Sequence, residues 1–431
     1  MLELRVARLP ASVLLRRAAL AYLIIWVLSP PLAFGMIWRA LAIVAALAWL
    51  MFDIRWARSV LLRPNLPIIG VIAFVIYTLI IETSVPDSAS VDRHIQLGVM
   101  LFFLLIGESL SRGRDGDARF CFWLVLLVLP IWMTTTLMGI EYIAADVART
   151  ISRSSDEARM LAGQGIGGYG FVYTVLLCLP FLAHFTMDSR ARQCLVEGSL
   201  LRKRLARLLV ALNFALACAL LLKAGYSIAL LLAGLSVALV VLVRSRRGLP
   251  FAISIVASGL LVLMTAIALP PALRGLESMA KGTEYEAKIR DFQESMADGR
   301  STGTVETRAE RYERSLRLFL EHPLVGTLMF DDVGKHSAIL DRFAQYGVVV
   351  GALFFFLIAY YPLRMLRDTR VPIGLGLSFA FVAIMFPMVN NVFMSWGLIL
   401  YVFSRGALSV LGIPLEWRRS RRDATSEYAH A

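Results

Sequence analysis

Residues 206–243 read ARLLVALNFALACALLLKAGYSIALLLAGLSVALVVLV. The stretch is two apolar runs, 206–222 and 226–243, parted by Lys223-Ala224-Gly225. Neither run alternates apolar and polar residues with the period of two that a membrane barrel strand needs. Each approaches the roughly 20 residues with which a helix crosses the hydrocarbon core of a bilayer. A pair of membrane helices joined by a tight turn is the reading that satisfies every backbone polar group in lipid.

The same pattern recurs along the chain. Apolar runs lie at about 19–36, 38–53, 67–82, 95–110, 119–140, 166–186, 206–222, 226–243, 250–270, 342–362, 372–389 and 391–411. The first two are separated by Pro30-Pro31. The 431 residues are 58% hydrophobic with a mean hydropathy of +0.70, well above the roughly 45–50% apolar share of soluble domains. The expected fold is all-α: a polytopic bundle of about 12 transmembrane helices. Residues 1–270 carry nine spans, 271–341 form a large polar loop, 342–411 carry three spans, and 412–431 are a basic tail.

Charge gives the expected orientation. The net charge is +13, from 44 Lys and Arg against 31 Asp and Glu. Insertion topology explains that excess, and nucleic acid is not expected as a partner. With a cytoplasmic N-terminus, Arg16 and Arg17, Arg55 and Arg58, Arg112 and Arg114, Arg190 to Arg207, Arg244 to Arg247 and Arg364 to Arg370 all fall inside. The alternate loops hold Asp87, Asp92, Glu141 and Asp146. Both termini are then cytoplasmic, and 141–165 and 271–341 face outward. Ionisable residues within the spans are few: Glu108, Lys223 and Arg405. That scarcity argues against a proton-coupled transporter. Cys121, Cys178, Cys194 and Cys218 form no CxxC pair and read as buried small hydrophobes.

The polar loop carries the candidate chemistry. Residues 305–321, VETRAERYERSLRLFLE, read as an amphipathic helix with Glu310–Arg314 and Glu313–Arg317 pairs at i,i+4. Arg308 shares a face with Tyr312, Leu316 and Phe319 and has no acidic neighbour at i+3 or i+4. An anion such as a phosphate would suit it, and so would snorkelling to lipid headgroups. Pro323 then stops the helix and Gly326 turns the chain. In GKHSAILDRF, His336 stands at the start of the next helix, with Asp332 four residues before it and Asp341 five after. A histidine beside a carboxylate is a candidate general base, and also an ordinary helix-start residue. The spacing of Asp331, Asp332 and His336 is not diagnostic of a metal site. GQGIGGYG at 163–170 follows no strand, so its glycines are expected to allow close packing or a bend, not to bind a dinucleotide. Gly347 and Gly351 form GxxxG, expected to serve helix packing.

These residues resemble a known family, the bacterial O-antigen polymerases and O-antigen ligases. The likeness rests on Arg308 and Tyr312 followed by Pro323, Leu324 and Gly326, then on His336-Ser337 and Gly347, all around a long loop between late spans. His-Ser at that point is closer to the polymerases, where many ligases have His-Asn. Lys223 and Ser227 stand where the family tends to place a basic residue near a serine, with Lys replacing the commoner Arg. The resemblance implies an integral membrane glycosyltransferase of the C type, in the bacterial inner membrane, acting at the periplasmic face. Its donor would be an undecaprenyl-diphosphate-linked glycan, and its acceptor a second glycan or lipid A-core. Membrane lipids, chain-length regulators and flippases would be its neighbours. No cofactor and no metal are implied. His336 and Arg308 would be catalytic, with Arg308, Arg311 and Lys223 on the diphosphate and Asp332, Ser337 and Tyr312 in supporting roles. A lipid-oligosaccharide flippase and a noncatalytic scaffold remain as other classes.

Overall fold

The computed structural model describes residues 10–33, 35–52, 64–84, 91–111, 115–143, 156–196, 198–243, 303–329 and 333–413. The expected span 250–270 and the tail from 414 onward lie outside them, as do Asp331 and Asp332. Among the described residues every regular element is helical. The order is α1 Ala11–Leu28, α2 Pro30–Ala33, α3 Met36–Phe52, α4 Leu66–Ser84, α5 Val91–Leu110, α6 Asp115–Tyr142, α7 Asp156–Gly163 and α8 Tyr169–Met187. Then follow α9 Ser189–Cys194, α10 Leu200–Ala224, α11 Ser227–Leu242, α12 Gly303–Glu321, α13 Ala338–Arg367, α14 Ile373–Val389 and α15 Met394–Val410. Five of these are long and apolar enough to cross a membrane, and six shorter apolar helices accompany them. The chain is built as a multi-pass membrane protein.

Breakers set the boundaries. The first helix ends at Leu28, earlier than expected, because Pro30-Pro31 force the preceding residue out of the helical region. It also begins earlier, so Arg16 and Arg17 lie inside it, both bonded to buried Asp117 of α6, at 2.9 Å through Arg16 Nε and 2.7 Å through Arg17 Nε. Between α10 and α11, Gly225 takes φ +62°, the left-handed value that a helix C-cap favours, and the expected tight turn forms.

In lipid, helices gain little from burying one another's leucines, so small and polar contacts hold them together. Asn213 of α10 donates to the Leu126 carbonyl of α6 at 3.0 Å. Ser236 of α11 and Ser378 of α14 bond at 2.8 Å. A Cβ on Gly397 would stand 2.3 Å from the Met100 carbonyl, so α5 and α15 touch backbone to backbone. Leu208, Leu212 and Leu222 on the outer side of α10 stay exposed, as a lipid-facing surface does.

Helix directions define two ends. α6 runs from Asp117 at one end to Gly139 at the other, where Gly139 abuts Ile166 at the entry to α8. The beginnings of α8, α11 and α13 and the ends of α10 and α14 share that second end. Near the first end lies a sealed ionic cluster. Glu108 is fully buried and accepts from Asn65 Nδ2 at 2.6 Å and from the Tyr361 hydroxyl. Arg405 approaches Glu108 at 3.7 Å and lies 4.2 Å over the Tyr361 ring. Glu108 and Arg405, both expected within spans, therefore form an ion pair with each other. Of the cysteines, Cys194 is exposed, not buried as expected, because it ends the short α9 outside the apolar runs.

Candidate functional site

The expected amphipathic helix forms as α12, and it docks on the first turns of α13. Its inward face is centred on Ser315, which is buried, while Leu316 is 46% exposed. The apolar face is thus one residue away from the expected Arg308–Leu316 line. The reason is polar: Ser315 Oγ donates to Asp341 of α13 at 2.7 Å and accepts from the Gly334 N–H at 2.9 Å. Leu318 and Phe319 complete the face, with the Phe319 ring 5.4 Å from that of Phe343. The expected Glu310–Arg314 and Glu313–Arg317 ion pairs are not formed among the described residues. Fully solvated pairs gain a few tenths of a kcal/mol at most, which side-chain entropy offsets.

Asp341 is therefore a structural partner of Ser315. α13 is also not one continuous rod. Gly347 takes φ +74° and ψ −174°, and a Cβ there would stand 2.2 Å from the Leu324 carbonyl. The backbone groups freed by the break pair with the segment after α12. Thr327 N–H donates to the Ala344 carbonyl, Leu328 N–H to that of Gln345, and Val348 N–H to that of Pro323, at 2.8–2.9 Å. The expected GxxxG packing role is replaced by this break, and Gly351 faces Phe343 of the same helix.

The segment 333–337 crosses α12 closely. A Cβ on Gly334 would stand 2.0 Å from the Arg311 carbonyl, so the loop backbone rests directly on the helix there. Two residues on, His336 is half-buried, and its Nδ1 lies 3.2 Å from Arg311 Nη1 and 3.1 Å from the Lys335 carbonyl. Lys335 has φ +61°, a left-handed value rare for a residue with a side chain. Ser337 caps α13, accepting from Leu340 N–H at 3.1 Å, and donates to the Pro387 carbonyl at 3.4 Å. Tyr312 donates its hydroxyl to the Val389 carbonyl at 2.7 Å, which fixes α12 to the end of α14.

Arg311 and His336 are thus brought together from two elements. Arg308 lies one turn earlier on α12, and its side chain is outside the described residues. Asp332 is outside them too. Lys223 is exposed in the last turn of α10, at the same end of the bundle. Nearby Tyr226 packs 4.9 Å from the Tyr169 ring, and Tyr169 receives the Asn390 amide on its hydroxyl. Among the described residues no contact joins Lys223 to Arg311 or His336.

Sequence reasoning passed over Asn390 and Asn391. They lie between α14 and α15, beside the His336 turn. Ala338 N–H donates to the Asn390 carbonyl at 3.0 Å, and Asn391 Nδ2 donates to the Lys335 carbonyl at 2.8 Å. Two adjacent amides in PMVNNVF (387–393), between apolar runs, were the available signal. The glycines of 163–170 serve both expected roles: Gly165 bends the chain at φ +86° against Trp132, its carbonyl accepting from Thr135 at 2.7 Å, and Gly170 packs closely on Phe393.

Chemically, the corner offers an exposed guanidinium, an imidazole and a positively charged side chain next to it in sequence, at the mouth of an apolar bundle. A guanidinium presents forked donors suited to phosphate oxygens. A neutral imidazole has one donor and one acceptor nitrogen. If Arg311 occupies Nδ1, the imidazole proton is on Nε2. If Nδ1–H donates to the Lys335 carbonyl, Nε2 carries the lone pair. No protein-family model matches the chain, and no curated protein matches it.

Proposed function

We propose that the protein is a membrane glycosyltransferase that polymerises undecaprenyl-diphosphate-linked oligosaccharide repeat units, inverting the anomeric centre. The observation that carries this is the 3.2 Å approach of Arg311 to His336 at one end of a bundle of apolar helices. An anion-binding fork beside a candidate base is what transfer from a lipid diphosphate requires. The acceptor hydroxyl attacks the anomeric carbon of the donor sugar. The new C–O bond forms as the bond to the diphosphate breaks. The hydroxyl proton passes to His336 Nε2. The diphosphate leaves with its charge stabilised by Arg311 and Arg308.

The two contacts of His336 Nδ1 suit two alternating arrangements of the site. In one, Arg311 sits on Nδ1. Diphosphate draws the guanidinium away, Nδ1–H turns to the Lys335 carbonyl, and Nε2 becomes the acceptor of the proton. Lys223, at the same end but apart, suits a phosphate held further along the surface. The bundle has twelve spans in this view, the apolar helices described above together with 250–270. Both termini are cytoplasmic and the His336 corner is periplasmic, as the basic loops require.

The test is a product assay with purified protein and undecaprenyl-diphosphate-linked repeat units, with and without lipid A-core. A ladder of products without lipid A-core is expected. Product only with lipid A-core would make the protein a ligase. No product in either arm would overturn the assignment.

A further inference from the structure

We propose, building on the assignment of His336 as the base, that Asn391 is a positioning residue that holds the histidine through the Lys335 carbonyl. Three observations converge on that carbonyl. Its residue has φ +61°, one of two positive values among the described non-glycine residues. Strain of this kind persists only where the surroundings hold it in place. Asn391 Nδ2 supplies the hold, donating to the Lys335 oxygen at 2.8 Å. The same oxygen lies 3.1 Å from His336 Nδ1. A carbonyl has two lone pairs, so it takes both donors.

Asn391 is itself fixed. Its N–H donates to the Asn390 side-chain oxygen at 3.0 Å, and the Asn390 carbonyl takes Ala338 N–H, also at 3.0 Å. The two asparagines thus grip the chain just before His336 and just after Ser337. Between those grips only the imidazole is left to move. With the Lys335 carbonyl held, Nδ1–H has a fixed acceptor and the Nε2 lone pair has a fixed direction. Asn391 would touch neither donor nor acceptor sugar.

A residue that merely secured the fold would lower the yield of folded protein, not turnover per molecule. The experiment is a double-mutant cycle on purified full-length protein, read as kcat and donor KM. Asn391→Ala should lower kcat by about 100-fold with the donor KM within about threefold of wild type. Asn391→Asp, nearly the same shape without the donated N–H, should behave alike and guards against a cavity effect. Lys335→Gly removes the strain, because glycine adopts the left-handed region at no cost. In that background Asn391→Ala should cost less than about tenfold. Equal costs in the two backgrounds would overturn the proposal, as would wild-type kcat in Asn391→Ala. His336→Ala, measured in parallel, separates the two levels. If it turns over like wild type, the assignment of the base has failed. If it is dead while Asn391→Ala is not, only the role of Asn391 has failed.

Discussion

Two polar clusters in this molecule treat their arginines in opposite ways. Near one end, Arg405 is sealed among Glu108 and Tyr361, with Asn65 on the other carboxylate oxygen. At the other end, Arg311 is exposed, and it lies against a half-buried imidazole, not a carboxylate. A buried guanidinium must be neutralised where it stands, since the desolvation cost is several kcal/mol. An exposed one is solvated and can exchange water for a ligand. The first cluster therefore ties helices together. The second, built on a left-handed lysine and a loop pressed against α12, leaves its charge open to solvent.

That contrast predicts a clean division between turnover and stability. His336→Ala should reduce glycosyl transfer on the order of 10³-fold while leaving thermal unfolding in detergent unchanged. A matching fall in unfolding temperature would mean that the exposed corner is structural as well. Glu108→Ala should do the reverse. It strands Arg405 and the Tyr361 hydroxyl, at about 3–5 kcal/mol of stability. Turnover per folded molecule should stay near wild type; a dead but folded variant would make the sealed cluster part of the chemistry. Gly347→Ala sits between the two. It places a side chain at φ +74° and a Cβ 2.2 Å from the Leu324 carbonyl, for a cost of about 1–3 kcal/mol. Because it shifts α12 with the start of α13, transfer should fall along with stability.

The smallest effect lies away from both clusters. Asp188 caps α9, accepting from Arg190 N–H at 2.7 Å and Ala191 N–H at 3.0 Å. Burial pushes its carboxyl up, but the two N–H bonds and the neighbouring His184 and Arg190 outweigh that and hold it below the usual carboxylate range. A carboxyl lowered in the folded state contributes stability above its unfolded value, and that contribution fades as pH falls through the folded one. Asp188→Ala should cost about 1 kcal/mol or less at neutral pH. The wild-type and variant unfolding curves should converge below about pH 4. Clusters tied by Arg311 and His336 should be indifferent to this substitution.

Much of the scaffold could be read from composition alone. Long apolar runs have one good solution in a bilayer, so the helices fall where hydropathy puts them, and Pro30-Pro31 and Gly225 mark their ends by local sterics. The helix 305–321 was visible from its amphipathic period, to within two residues of α12. Its phase was not. The choice of Ser315 over Leu316 as the inward residue depends on Asp341 and Gly334, which no periodicity within the helix encodes. His336 announced itself by residue type, and Arg311 only through the family resemblance. Asn391 did not, because its bond to Lys335 spans 56 residues of sequence and belongs to neither apolar helix beside it. Gly347 misled in a different way: spacing fits a packing glycine and a hinge glycine equally, and only the φ of +74° separates them.

The break at Gly347 has a mechanical meaning. A continuous helix passes torque from one end to the other, so anything built on its tip inherits every rocking of the shaft. Here the tip, from Ala338 to Tyr346, is stitched instead to α12 and to the run 323–328. The upper piece is a seated fitting with its own fastenings, and the shaft below it is anchored separately, through Tyr361, to the Glu108 cluster.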